Sequence, residues 1–258
     1  VTANWWQGGL CALDTETTSV DIESARVVQI AFAIIRPAAA KQQDRVTIRT
    51  ALIDPGVPVP AEASAVHGLT DDRLRVEGGK PAEVLDLYLG DVALAIVAGL
   101  PLVAMNAVFD LSILDREARR NGLPTITERL DGKPLAPVID PLVIDTHVVA
   151  KRRRVSPTQG ARQLKTLCQV WGVGWDDDMA HAAEYDAMQA ARVVWRLCEK
   201  NPAIGAMSPM ELHTKQVMWR AQQQVSFADW LVAKGEDTSG VDPAWPLRPF
   251  PEAVLDGR

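Results

Sequence analysis

Two apolar runs open the pattern of this chain. Leu10-Cys11-Ala12-Leu13 stops at Asp14, and Val27-Val28-Gln29-Ile30-Ala31-Phe32-Ala33-Ile34-Ile35 is longer and rich in β-branched residues. Both predict strands, with Ser19 to Arg26 turning between them. Alternation in Arg45-Val46-Thr47-Ile48-Arg49-Thr50-Ala51-Leu52-Ile53 predicts a third strand, half exposed and closed by Asp54-Pro55-Gly56. Three strands in succession make a meander.

Helix and strand periods then alternate. A helix is expected from about Pro81 to Ala98, a strand at Leu102 to Met105, and a helix from Phe109 to Asn121 closed by Gly122. The apolar segment Val138 to Ile144, running into Asp145-Thr146, predicts a fifth strand. The fold class that follows is α/β: a mixed five-stranded sheet, meander first and alternating units after, flanked by helices on both faces.

Helices are expected again from about Arg162 to Trp171 and Ala183 to Lys200. Ser208-Pro209-Met210-Glu211 has the plan of a capping box with proline at the first helical position. Met210, Val217, Met218, Ala221, Val225, Ala228, Leu231 and Val232 continue from it at helical spacing to a stop at Gly235, a helix of about 40 Å. Beyond it Pro243, Pro246, Pro249 and Pro251 alternate with Trp245 and Phe250, so this tail is no long regular element. It is either draped on the domain through its aromatics or loose. The organisation predicted is one domain over residues 1–200, with the long helix and proline-rich tail of 201–258 packed on it or extending from it.

Composition narrows the picture little. The chain has 258 residues and 47% hydrophobic content, ordinary for a globular protein with a sizeable core. No apolar run reaches the roughly 20 residues that span a bilayer, and Val1-Thr2-Ala3-Asn4-Trp5-Trp6-Gln7 lacks the plan of a signal peptide, so no membrane association and a cytoplasmic location are expected. Cys11, Cys168 and Cys198 form no C-x-x-C pair and are read as reduced core residues. The formal charge of −6 opposes generic binding to nucleic acid. Two divalent ions would leave about −2, so charge alone does not choose the partner.

The candidate chemistry sits in three separated segments: Leu13-Asp14-Thr15-Glu16-Thr17, Asn106-Ala107-Val108-Phe109-Asp110, and His181-Ala182-Ala183-Glu184-Tyr185-Asp186. Asp14 and Glu16, two apart at a strand end, emerge on one face about 6 to 7 Å apart at the backbone, close enough to share one ion. Asp110 opens a helix and interacts well with its dipole. Five residues of helix turn by about 500°, so His181 and Asp186 cannot share a face, and His181 is expected in the loop before the helix. Each segment alone has an ordinary structural explanation. Together Asp14, Glu16, Asp110 and Asp186 with His181 supply four carboxylates and an imidazole, a set suited to divalent cations and proton transfer.

In this order and context the segments resemble the DEDDh branch of the DnaQ-like 3′-to-5′ exonucleases, whose plans are Asp-x-Glu, Asn-x-x-x-Asp and His-x-x-x-x-Asp. Further agreements are Leu13 and Thr15 to Thr17, Val66-His67-Gly68-Leu69-Thr70, Phe109, Ile139-Asp140 or Ile144-Asp145-Thr146, and Ala187. The resemblance covers about Gly9 to Lys200. It implies an RNase H-like fold and two Mg²⁺ ions, replaceable by Mn²⁺. One ion would be held by Asp14, Glu16 and Asp186, the other by Asp14 and Asp110 partly through water, with His181 taking the proton from the attacking water. Leu69 would lie beside the last base, Thr15 and His67 would be polar contacts, and Asn106 and Phe109 complete the expected substrate-binding set. His147 and His213 match no motif and are read as structural.

The implied activity is metal-dependent hydrolysis from the free 3′ end of nucleic acid, DNA favoured over RNA and single-stranded or frayed ends favoured over duplex. The alternatives are a 3′ exoribonuclease of the same superfamily and a catalytically silent nucleic-acid-binding or polymerase accessory subunit. Lys151 to Arg154, Arg162 and Lys165 could line the approach of the phosphate backbone or form a solvated helix end. Trp171, Trp195, Trp219 and Trp230 are read as packing residues. The final helix could dock a partner, polymerase or second copy, or cover a sheet edge.

Overall fold

The computed structural model describes residues 4–36, 41–42, 45–151 and 163–251. Its centre is a five-stranded sheet built from β1 (Leu10–Thr17), β2 (Val27–Ile35), β3 (Val46–Leu52), β4 (Leu102–Val103) and β5 (Val138–Ile139), in the order β3-β2-β1-β4-β5. The meander β1-β2-β3 is antiparallel, and β4 and β5 add in parallel to the other side of β1. The expected mixed sheet is therefore present, and β1 is its middle strand.

β1 is longer than its apolar run implies. Asp14 pairs with Ala31 and Glu16 with Gln29, so the carboxylates lie within the strand rather than after it. Backbone pairing with β2 supplies what the polar sequence does not, out to a register irregularity between Glu16 and Thr17.

Helices α1 (Ala61–His67), α2 (Asp71–Glu77) and α3 (Pro81–Val97) follow the meander, then α4 (Ala107–Arg120) and α5 (Ile126–Arg129). α6 (Pro141–Lys151), α7 (Leu164–Trp171), α8 (Ala183–Lys200), α9 (Pro202–Gly205) and α10 (Pro209–Lys234) complete the chain. The expected strand from Val138 to Ile144 is corrected: only Val138 and Ile139 pair, and Pro141 starts a helix that takes in Ile144, Asp145 and Thr146. Proline at the first helical position turns an apolar run of ambiguous period into helix. α1 ends at Gly68, whose φ of 72° suits a residue without Cβ, and Thr70 caps α2 through the N–H of Arg73.

One main core gathers both sheet faces and includes Leu13, Ile30, Leu102, Val138, Leu111, Ile144, Val194, Leu212, Trp219 and Trp245. The three cysteines are free and buried, and burial pushes each thiol up to about 12. His147 stacks on Trp219 with ring centroids 3.7 Å apart. Trp171 and Trp219 are packed as expected, whereas Trp195 and Trp230 are exposed. The basic stretch from Lys151 to Arg154, and Arg162, fall outside the residues whose side chains are described; Lys165 pairs with Asp177 at 2.7 Å.

The outer edge of β5 is satisfied by side chains of α10. The Val138 N–H donates to His213 Nδ1 (3.1 Å), the Asp140 N–H donates to Gln216 Oε1 (2.7 Å), and Gln216 Nε2 donates to Val138 O (3.1 Å). Gln216 is fully buried. A primary amide, with donor and acceptor together, substitutes here for a neighbouring strand. The helix thus covers the sheet edge, one of the two roles expected of it, but not with most of its apolar stripe: Met210, Val217, Met218, Val225 and Val232 are exposed, while Leu231 of the stripe is buried, as are Leu212, Gln216 and Trp219.

The proline-rich tail is draped rather than loose across residues 236–251. Trp245 is buried beside His213, the Arg248 N–H donates to Ser112 Oγ, and Arg116 donates to the carbonyls of Arg248 and Pro249. The Arg116 and Arg119 guanidinium groups lie 5.2 and 4.8 Å from the Phe250 ring centre.

Replacing Gln216 with leucine keeps volume and removes both hydrogen-bonding groups, leaving the Asp140 N–H and Val138 C=O buried without partners. The expected loss is about 2–4 kcal/mol, a fall in Tm of roughly 5 to 12 °C in a thermal melt. A melt unchanged by the substitution would contradict this account of the sheet edge.

Candidate active site

The site forms where β1, α4 and α8 meet. Asp14 and Glu16 project from one face of the middle strand, Asp110 lies in the first turn of α4, and Asp186 lies in the first turn of α8. His181 stands before α8, as the five-residue spacing requires, with a φ of 61°. Glu16, His181 and Asp186 each offer a ligand atom, and these atoms lie within 4.8 Å of one another.

Local geometry at each helix start aims these groups. Among the described residues, Asn106, Asp131 and His181 are the non-glycine residues with positive φ, and two of the three precede the helices carrying Asp110 and Asp186. Left-handed backbone at a non-glycine residue costs about 1 kcal/mol and persists where surrounding contacts hold it. At Asn106 the holding group is Asp140, whose carboxylate accepts from the N–H groups of Asn106 (3.1 Å), Ala107 (3.0 Å) and Leu142 (2.9 Å). Asp140 thus caps α4 from the end of β5, and Gln216 holds its own N–H. At α8, Ala182 cannot cap, and Gln29 of β2 takes that place. Its Oε1 accepts from the Ala183 N–H at 3.4 Å, and its Nε2 donates to Glu184 at 3.1 Å, an oxygen that Thr50 Oγ1 also reaches at 3.2 Å.

The carboxylates share a crowded, negatively charged space, with Asp14 and Glu16 half-buried and Asp110 and Asp186 buried. Burial pushes Asp14 well above the usual carboxylate range, and Asp110, Glu16 and Asp186 add to the shift. Burial, then Asp186 and Asp110, push Glu16 up to about 8. Burial pushes Asp110 up to about 7 against the opposing hydrogen bond from Thr15, and Asp186 up to about 6 against the opposing influence of His181. Asp186 Oδ1 is buried and has no hydrogen-bond partner among the described residues. A group of acids arranged this way retains protons that separate carboxylates would release.

The residues expected at the substrate take several positions. Thr15 is buried, and its hydroxyl donates to Asp110 Oδ1 at 2.7 Å, so it holds a carboxylate in place. His67 Nδ1 accepts from the Leu69 N–H at 3.1 Å, while Nε2 is buried without a partner. Burial lowers the His67 pKa, the Thr17 backbone opposes this, and His181 adds to it, which puts His67 at the margin of the cluster. Leu69 is buried with Val28, Val59 and Leu74 in a small satellite core and offers little open surface. Phe109 packs part-buried against the main core, and the Asn106 side chain makes no capping bond. The sequence marks Asp140 only as an alternative to Asp145, and it marks no role for Gln29, Glu184 or Gln216. Their one visible signal is a polar residue interrupting an apolar run or helix face.

Residues 11–194 match the family model described as exonuclease. The chain is 30% identical over 183 residues to a PolC-type DNA polymerase III of Streptococcus thermophilus, covering 70% of this chain and 10% of the relative. It is 29% identical over 220 residues to that of Streptococcus agalactiae, covering 84% and 13%. The chain thus spans about a tenth of the length of these relatives. Among solved structures, Escherichia coli exonuclease I in complex with a dT13 oligonucleotide superposes with a TM-score of 0.62 at 17% identity, covering 76% of this chain and 42% of that one. At that identity the likeness speaks for the fold, which is RNase H-like. With the family model matching most of its length, the chain belongs to the DnaQ-like 3′-to-5′ exonuclease family.

Proposed function

We propose that this chain is a metal-dependent exonuclease of the DEDDh type that releases nucleoside 5′-monophosphates from the 3′ end of DNA, single-stranded or frayed. The observation that carries the reading is the gathering of Asp14, Glu16, Asp110 and Asp186 beside His181. The donors fit hard divalent cations: all four are carboxylates, their crowding is unfavourable without positive charge, and Asp186 keeps a buried oxygen unpartnered. Asp14, Glu16, Asp110 and Asp186 would hold two Mg²⁺ ions, which when bound supply Lewis-acid stabilisation of phosphoryl charge and a more acidic water.

His181 would accept the proton of the attacking water at an imidazole nitrogen. It is exposed, outside the helix, and within reach of Glu16 and Asp186. Thr15 fixes Asp110, and the Gln29 and Glu184 pair fixes the start of α8, so both carboxylates are oriented before substrate arrives. DNA as substrate is supported by the PolC-type polymerase relatives and by the oligonucleotide in the exonuclease I complex.

End-labelled single-stranded DNA, duplex DNA and RNA, each with Mg²⁺ or with chelator, test the reading. Stepwise 3′ trimming of single-stranded DNA that stops with chelator is expected. His181→Ala should lower kcat by about 10²- to 10⁴-fold while leaving metal binding in place. Metal-independent trimming, or activity undiminished by Asp14→Ala, would contradict it, and preferential trimming of RNA would overturn the substrate.

A pH dependence of stability follows from the raised carboxylates. An acid whose folded pKa lies above its unfolded value keeps a proton in the folded state that the unfolded state releases, so stability falls as pH rises between the two values. Metal-free protein should lose Tm between about pH 4.5 and pH 8, through the values near 6, 7 and 8 of Asp186, Asp110 and Glu16. Mg²⁺ should raise Tm more at the upper end of this range than at the lower. A metal-free Tm that stays level or rises across it would contradict the assignment.

A further inference from the structure

α10 carries a hydrophobic surface that its own domain does not cover. Its inward side is marked by buried Leu212, Gln216 and Trp219 and by Gln223, which donates to Val143 O at 3.0 Å. At about 100° per residue, Thr214, Met218, Ala221, Val225, Ala228 and Val232 lie roughly 170° around the axis from that side. Met218, Val225 and Val232 are 54%, 61% and 67% exposed. The six residues alternate at spacings of four and three, the a/d pattern of a two-stranded coiled coil. Larger side chains, Met218, Val225 and Val232, occupy one heptad position, and small ones, Thr214, Ala221 and Ala228, occupy the other.

We infer that this seam pairs antiparallel with α10 of a second copy of the chain. In an antiparallel pair each a position faces a d position of the other helix. Setting Ala221 against Val225 of the second copy brings Met218 against Ala228 and Val232 against Thr214. Every layer then joins one large side chain to one small one, which fills space without voids or overpacking.

The same register sets Lys215 beside Asp229 of the second copy, twice by symmetry, with Gln222 near the two-fold axis. Neither Lys215 nor Asp229 has an ion-pair partner among the described residues. A parallel pair would set large against large and small against small, and Lys215 would meet apolar Met210 or Val217. The seam lies opposite the buried side of α10, so pairing leaves that helix's contacts with the sheet edge in place. The pairing is independent of the catalytic reading.

Sedimentation velocity on the full chain, over about a hundredfold range of concentration, tests the pairing. A reversible dimer is expected. Ala221→Glu should give a monomer with unchanged circular dichroism and melting. Lys215→Asp and Asp229→Lys should each weaken the dimer about tenfold, and the double exchange should restore it. A monomer at every concentration, a dimer unmoved by Ala221→Glu, or charge reversals that fail to rescue one another would overturn the inference.

Discussion

Mutual repulsion among four carboxylates is the constraint around which this structure is arranged. Asp14 and Glu16 stand on the middle strand, where β2 pairs with them, and Asp110 and Asp186 arrive from the first turns of two helices. Like charges crowded together and partly buried oppose ionisation and oppose the fold that gathers them. The surrounding contacts resist that opposition: Thr15 donates to Asp110, Asp140 caps α4, and Gln29 with Glu184 secures α8. The left-handed backbone at Asn106 and His181 belongs to the same arrangement. Strain and repulsion concentrated at one place, in a fold otherwise built on a large apolar core, are what a cation-binding catalytic site requires before the cation arrives.

Much of this was legible in the sequence because the relevant spacings are short-range. Asp14 and Glu16 at a period of two, and the five residues from His181 to Asp186, each dictate a local geometry that the structure adopts. The meander and the alternating units were also visible, since each has its own hydrophobic period. What was hidden depends on distant partners. The polar half of β1 is a strand because β2 pairs with it, and Val138 to Ile144 divides into strand and helix at Pro141. Leu69 in a loop reads equally as surface or as packing, and only its neighbours Val28, Val59 and Leu74 decide.

α10 inverts the usual inference from amphipathicity. Its aliphatic stripe is the side that amphipathicity alone would bury, yet the domain takes the side bearing Gln216 and His213. The reason lies in the edge of β5, where backbone donors and acceptors need partners that aliphatic side chains cannot supply. A polar interior contact and an apolar exterior follow from the same need. Through Gln216 the helix also reaches Asp140, so the C-terminal segment supports the start of α4 and, with it, Asp110.

The measurement that bears most directly on the central claim is calorimetric titration of the metal-free protein with Mn²⁺, repeated in buffers of different ionisation enthalpy to count protons released. Carboxylates held partly protonated by burial and by one another must give up those protons when a cation binds. The account predicts saturable binding of two ions with net proton release near neutral pH, diminishing toward alkaline pH as Glu16 and Asp110 lose their protons before the metal arrives. Saturable binding without proton release, or no saturable binding at all, would contradict it.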